Sequence, residues 1–289
     1  MHKLARQIRF AVNPFADSAE MGANSYCAKP TGEGLALFFA LWVELTGPVD
    51  ADTGFVVNVS DIDRIVRDKA VGIFEEFVKH KFGQKEQTPL ETRRQRRLTA
   101  DKSGLSLTGQ VSFEQIGQLL SKVWQTIEKE FLPARIDNLT VELMPTRKLG
   151  IKERQGDMLY ISEKFEFAAS HILWNDKFSD DENYKIFGKC ANRSGHGHNY
   201  IVEVTIKKPA KSKTLKAGDF ENIVEKGFIR LVDHKNLSAD VEYFKKVNPT
   251  VENIAEFAFK SLADKLKPLE LDCVTVWEND RTFCSFRAE

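Results

Sequence analysis

Four of the chain's six histidines lie between His171 and His234, whereas the first 156 residues hold only His2 and His80. His196 and His198 flank Gly197 at the head of an alternating run, HNYIVEVTI. Strand side chains alternate faces, so two imidazoles two residues apart project the same way. Gly197 between them removes a side chain and leaves room for neighbouring backbone. His171 closes the preceding alternating run, SEKFEFAAS, and reaches the same spot if the two strands pair antiparallel. Three neutral imidazoles with a fourth position open are what a catalytic zinc ion requires. The plainer reading, hydrogen-bonding surface histidines, accounts for one such residue but poorly for three so placed.

Cys190 stands six residues before His196 in GKCANRSGHGHNY. A lone cysteine is ordinarily a small core hydrophobe. Flanked by Lys189, Asn192 and Arg193 and close to a metal, it would instead have a lowered thiol pKa and reactive thiolate character. Asp233-His234 ends a helical segment, where a histidine commonly caps the helix or meets its dipole. An adjacent Asp-His pair also orients an imidazole to carry a proton for a thiol. Glu278, at a strand end, is by default a solvated rim carboxylate; its other use is to grip a ligand's amidine-like edge through two charge-assisted hydrogen bonds.

The elements that must position these groups follow from periodicity. SEKFEFAAS and HNYIVEVTI read as two strands around a glycine-rich bend. FENIVEKGFIRLV and VENIAEFAFKSLADKL carry helical spacing, the second opened by Asn248-Pro249-Thr250. LDCVTVWE and RTFCSFRA form a hairpin across Asn279-Asp280. The order is ββααββ. The first half repeats it more weakly: RQIRFAVNPF and GLALFFALWVEL as strands, VSDIDRIVRDKAVGIFEEFVKHKF and FEQIGQLLSKVWQTIEKEF as helices, then NLTVELMP and a short closing strand, which makes an internal duplication the economical reading. The charged segment from Gly150 to Gly156 marks the boundary, giving domains 1–154 and 155–289. A polar insertion in the first half carries a basic cluster from Arg93 to Arg97, either a solvated loop or a grip on a phosphate chain across a subunit boundary.

Composition narrows the partners. Basic and acidic residues balance at 42 each, so neither nucleic acid nor an anionic membrane is implied, and a small molecule is the expected ligand. The N-terminal segment lacks an apolar core of signal-peptide length, and the longest apolar stretch, Leu35 to Leu45, is too short to span a bilayer. Cys27, Cys190, Cys273 and Cys284 are too few and scattered for a disulfide framework. Alternating strand sequence accounts for Cys273 and Cys284 by packing. A cytoplasmic location is expected.

FAASHILWNDKFSDDENYKIFGKCANRSGHGHNYIVEVTI resembles the segment of the 6-pyruvoyl-tetrahydropterin synthase family that carries three zinc histidines and the catalytic cysteine, and VDHKNLSADVEYFKKVNPTVENIAEF resembles the segment that follows. The resemblance covers about residues 160 to 289. It implies an α+β T-fold, an antiparallel four-stranded sheet with two helices on one face, whose copies close into barrels with active sites at subunit interfaces. It makes His171, His196 and His198 zinc ligands, Cys190 the base, and Asp233 and His234 its relay. Glu278 becomes the pterin anchor, with Thr250 and Glu252 lining the pterin pocket. The implied reaction converts 7,8-dihydroneopterin triphosphate to 6-pyruvoyl-tetrahydropterin with loss of triphosphate. The five residues between Cys190 and His196 match the pyruvoyl-forming branch, whereas relatives making 6-carboxytetrahydropterin typically have a shorter gap. That product is the alternative, and a non-catalytic pterin- or purine-binding scaffold is a third reading. The family's G-x-x-D-x-x-T-G is missing from the second half and present in the first, from Gly47 to Gly54. The first half has no H-x-H, so it resembles a degenerate T-fold copy, and the chain is expected to form a homo-oligomer, a trimer or dimer of tandem chains.

Overall fold

The computed structural model describes residues 1–14, 26–27, 36–82, 111–212 and 215–288. It divides into two compact units, one of residues 1–144 and 150–157, the other of residues 145–149 and 158–289. Each is an antiparallel sheet packed against helices, so the chain is α+β. The basic cluster Arg93 to Arg97 lies outside the described residues.

In the first unit β1 (His2–Val12) pairs antiparallel with β2 (Leu37–Gly47), from His2 opposite Gly47 to Val12 opposite Leu37. A helical segment runs from Val59 to Phe82, interrupted by a π-turn at Val66–Ala70. Helix Phe113–Ile127 starts at a capping box in which Ser112 and Gln115 satisfy each other's backbone N–H groups. β3 (Arg135–Met144) then pairs with β2, with a register shift between Glu44 and Leu45, and the residues of β4 (Arg147–Ile151) are divided between the two units. Alternation along β1 and β2 turns Phe10, Leu41, Val43 and Leu45 inward, where they are buried beneath Ile62, Phe74, Leu120 and Ile127.

The second unit begins with β5 (Met158–His171), which pairs along its whole length with β6 (His196–Pro209) and sets His171 opposite His196. The bend between them, read from sequence as glycine-rich loop, contains helix Asp180–Phe187, opened by a capping box from Ser179 to Glu182, and a 3₁₀ turn at Gly188–Ala191. The fully buried Asn183 stitches this excursion together: its side chain accepts from the Asn175 N–H and donates to the carbonyls of Asn175, Phe178 and Ser179. The next helix, Ala217–Val224, runs through a π-turn at Glu225–Ile229 into Arg230–Val232. Gly227 in that turn is required, because a Cβ there would stand 2.8 Å from Leu262 Cδ2. A two-residue strand, β7 (Lys235–Asn236), lies parallel to β5. Helix Val251–Ala263 covers the sheet with Ile254, Ala255, Ala258 and Leu262, and β8 (Glu270–Asn279) and β9 (Thr282–Phe286) close the unit as a hairpin beside β6. β6 and β8 shift register between Thr205 and Ile206.

Among the described residues Cys27, Cys190, Cys273 and Cys284 form no disulfide. No helix among the described residues is long and apolar enough to cross a membrane.

Candidate active site

Pairing of β5 with β6 brings the three histidines of the sequence pattern together. One ligand atom from each of His171, His196 and His198 lies within 4.8 Å of the others, and among the described residues no other such group of metal-ligating side chains occurs. His171 is fully buried. Its Nδ1 lies 2.8 Å from the Pro249 carbonyl oxygen, which can only accept, so the proton sits on Nδ1 and Nε2 carries a free lone pair. That Nε2 faces His196 Nε2 at 3.0 Å. Two such nitrogens need a proton or a cation between them. His196 Nδ1 and His198 Nε2 are buried with no hydrogen-bond partner. Burial, ahead of all other causes, holds His171 and His198 below the usual imidazole range, so both are neutral near pH 7. Neutral imidazoles, one orphaned ligand nitrogen and one tautomer fixed by a backbone carbonyl fit a metal ion such as zinc.

The sequence spacing accounts for this geometry with one change. Gly197 is not sterically required, since a Cβ there would meet only the Ala169 carbonyl oxygen at an ordinary 3.5 Å. Gly195 is the constrained position: its φ is +69°, and a Cβ would press to 3.2 Å on the His171 carbonyl oxygen.

Cys190 Sγ lies 3.7 Å from His196 Nε2, and the Cys190 carbonyl accepts from the Leu173 N–H at 2.9 Å, tying the 3₁₀ turn to the exit of β5. Its thiol is pushed up, first by burial and then by the negative charge of Glu278. This reverses the lowering expected from its cationic flanks. Arg193 is engaged elsewhere, its guanidinium 3.9 Å from the Trp174 ring centroid and 3.3 Å from Asp180. Glu278 does reach the cluster, with Oε1 3.5 Å from His198 Nε2 and 3.8 Å from His171 Nε2.

Asp233 and His234 form a pair at 2.9 Å, and Asp233 also accepts from the Ala168 N–H. The backbone amide and carboxylate bonds hold Asp233 below the usual carboxylate range. His234 has a left-handed φ of +54° and an exposed side chain, and no contact with Cys190 is found among the described residues. Thr250 caps helix Val251–Ala263 by accepting from the Asn253 N–H, directly after the Pro249 carbonyl that orients His171. Glu252 is exposed, and its charge acts on Cys284. The structure thus gathers His171, His196, His198, Cys190 and Glu278, and leaves Asp233, His234 and Glu252 outside that group.

Two participants escaped the sequence reading. The Pro249 carbonyl is backbone and carries no residue-type signal. Tyr200 did carry one: it continues the His196, His198 alternation onto the same face. It is fully buried, stacks on Phe167 at 4.9 Å, and its ring lies 5.5 Å from that of His198.

Comparison with known proteins converges on this half of the chain. A sequence model described as 6-pyruvoyl tetrahydropterin synthase matches residues 160–289. The chain is 39% identical over 132 residues to the 6-pyruvoyl tetrahydrobiopterin synthase of Homo sapiens, covering 45% of this chain and 91% of that protein. It is 36% identical over 137 residues to the enzyme of the same name from Drosophila melanogaster, covering 46% and 82%. A 6-carboxy-5,6,7,8-tetrahydropterin synthase from Aquifex aeolicus is 29% identical over 133 residues, covering 44% and 76%.

Proposed function

The chain belongs to the 6-pyruvoyl tetrahydropterin synthase family and is a lyase of that type, and from this premise we propose that its second unit converts 7,8-dihydroneopterin triphosphate to 6-pyruvoyl-tetrahydropterin. The observation that carries the reading is the convergence of three imidazoles, a thiol and a carboxylate at one end of β5, β6 and β8. His171, His196 and His198 would hold a zinc ion, which supplies Lewis acidity toward the substrate's side-chain oxygens. Cys190, beside His196, would take the proton from the side-chain carbon as base. Glu278 would grip the amidine-like edge of the pterin ring through charge-assisted hydrogen bonds and so place that carbon within reach of the thiolate. The proton is returned to the ring's C=N bond, so that the ring is reduced to the tetrahydro level as the side-chain carbinol becomes a ketone; loss of triphosphate breaks the carbon–oxygen bond, and tautomerisation of the resulting enol yields the diketone with no redox cofactor consumed. Thr250, which adjoins the Pro249 carbonyl, would line the ring pocket, and Glu252 its rim.

Asp233 and His234 would act as the proton relay. Since His234 is exposed and makes no contact with Cys190 among the described residues of its own chain, this role calls for a site completed by a neighbouring copy, and we take the working form to be a homo-oligomer. We read the first unit as a degenerate second copy of the fold. Supporting this are the same ordered strands and helices, a π-turn in the first helical segment of each unit, and a register shift after Glu44 and after Thr205, at corresponding points of β2 and β6. At the position of His198 that copy has Leu37. A cytoplasmic, reducing setting suits four cysteines that form no disulfide among the described residues.

The competing product is 6-carboxytetrahydropterin. Both the five-residue gap from Cys190 to His196 and the higher identity to the pyruvoyl-forming relatives, 39% against 29%, favour the first. Incubating zinc-loaded protein with dihydroneopterin triphosphate and identifying products by mass decides between them. The expected outcome is 6-pyruvoyl-tetrahydropterin and triphosphate from wild type, with Cys190→Ala retaining pterin binding but losing roughly 10²- to 10⁴-fold in turnover. A carboxylated product, or near-normal turnover by the variant, overturns the respective assignment.

A further inference from the structure

Tyr200 is one of the largest fully buried side chains of the second unit, yet its hydroxyl has no hydrogen-bond partner. Leaving a buried hydroxyl unpaired costs about 1–3 kcal/mol, so a phenylalanine would stabilise the fold better. The first unit makes that comparison directly. Counting back five residues from the register shift in each sheet leads to Tyr200 in β6 and to Phe39 in β2. Tyr200 sits opposite Phe167, on which it stacks, and Phe39 sits opposite Phe10, with ring centroids 5.6 Å apart. Each pair is completed by an edge-on phenylalanine, Phe228 in one unit and Phe74 in the other. The two clusters place rings at corresponding positions, stacked at 10° in the second unit and tilted at 32° in the first, and the hydroxyl is present in one alone. It occurs in the unit that carries the histidines, Cys190 and Glu278.

Two acceptors lie at this end of β6: Glu278, whose Oε1 is 3.5 Å from Nε2 of the same His198 whose ring adjoins that of Tyr200 at 5.5 Å, and Cys190, whose Sγ is 3.7 Å from His196 Nε2. Glu278 is the stronger acceptor of the two. As a carboxylate it can only accept, and no hydrogen bond donated to it is found among the described residues. His171 donates its one N–H to the Pro249 carbonyl and has none left for Glu278. His198 Nε2 is itself without a hydrogen-bond partner. An unpaired donor and an unpaired anionic acceptor therefore share one end of the sheet.

We infer that Tyr200 is a positioning residue, whose hydroxyl donates to the Glu278 carboxylate once the site holds its ligands and so fixes the group that grips the pterin ring. This rests on the reading of Glu278 as pterin anchor given above. Tyr200→Phe keeps the ring stack and removes only the donor.

The test is a double-mutant cycle on the full, metal-loaded chain, reading the affinity for neopterin, a fluorescent pterin with no triphosphate to lose, by titration, with metal content and melting temperature measured alongside. Tyr200→Phe is expected to weaken neopterin binding by roughly ten-fold, to leave metal content unchanged, and to melt no lower than wild type. In a Glu278→Gln background the same change should weaken binding by less than about two-fold, since the partner is already altered. A merely structural tyrosine would instead lower the melting temperature and act equally in both backgrounds. Unchanged affinity in Tyr200→Phe, or full additivity with Glu278→Gln, overturns the assignment while leaving the pterin reading intact. A wild-type protein that binds no neopterin overturns the pterin reading and this inference with it.

Discussion

Stripping the zinc that we propose the three histidines hold is expected to lower the melting temperature of the full chain by an amount that the site sets. The three imidazoles are held in a space where His171 is fully buried and where His196 Nδ1 and His198 Nε2 have no partner. A cation bound there is bound to the folded state alone. At a free-metal concentration 100 times the dissociation constant, the linkage adds about 2.7 kcal/mol. The second unit comprises residues 145–149 and 158–289, 137 in all. At about 2.1 cal/mol/K of unfolding entropy per residue, its melting should shift by about 9 °C if it melts as its own transition, and by roughly half that if the whole chain melts together. Differential scanning calorimetry in a zinc buffer and again with chelator, with metal content determined by mass spectrometry, reads this directly. His198→Ala provides the second arm. It should abolish the metal-dependent shift, while its metal-free form melts close to metal-free wild type, because the substitution also removes a buried nitrogen that costs about 1–3 kcal/mol unpaired. A protein shown to carry zinc that melts identically after chelation would refute the reasoning, as would a His198→Ala variant that keeps the full shift.

Two further outcomes separate backbone geometry from sequence impression. Gly195→Ala should destabilise the second unit by about 1–2 kcal/mol and reduce metal content, because it puts a Cβ on a left-handed residue 3.2 Å from the His171 carbonyl oxygen, whereas Gly197→Ala, with its nearest contact at 3.5 Å, should melt and bind metal much as wild type does; equal behaviour of the two in melting and metal analysis would show that the β5–β6 bend is not set at Gly195. Size-exclusion chromatography with light scattering should give a multiple of the 32.9 kDa chain mass, and a fully active monomer would exclude a relay supplied by a neighbouring copy.

What was legible in the sequence tracks how local the cause is. The alternation of SEKFEFAAS and HNYIVEVTI predicts two paired strands, and β5 and β6 pair with no register shift from Met158 to His171, so the convergence of His171, His196 and His198 follows from period two alone. Helix Asp180–Phe187 was equally local and was overlooked: Ser179-Asp180-Asp181-Glu182 is a capping box visible in the sequence. The π-turns could not be read, because no residue type marks them locally; at Glu225–Ile229 the one visible constraint, Leu262 lying close over Gly227, comes from a distant segment. The charge environment of Cys190 was misjudged for the same reason. Lys189 and Arg193 are its neighbours along the chain, but Arg193 turns to Trp174 and Asp180, and the charge that acts on the thiol comes from Glu278, 88 positions away.

The two units together show which features of this fold serve structure and which serve chemistry. Both bury alternating aliphatic residues of their paired strands, and both shift register at the corresponding point, after Glu44 and after Thr205. If the first unit is the degenerate copy we propose, counting from those shifts puts Leu37 in the place of His198, Phe39 in that of Tyr200 and, on the partner strand, Leu143 in that of Glu278. None of the first unit's described side chains leaves a buried polar atom unpaired, whereas His196, His198 and Tyr200 each do. Each such atom works against stability by an amount comparable to one hydrogen bond. A frame that keeps its strands, shift and π-turn with leucine and phenylalanine at these positions does not need imidazoles, a phenol and a carboxylate to fold. Their presence at one end of β6 and β8 is explained by ligand contacts that the folded chain alone does not make, and it is at such unsatisfied groups that substitutions should separate activity from stability.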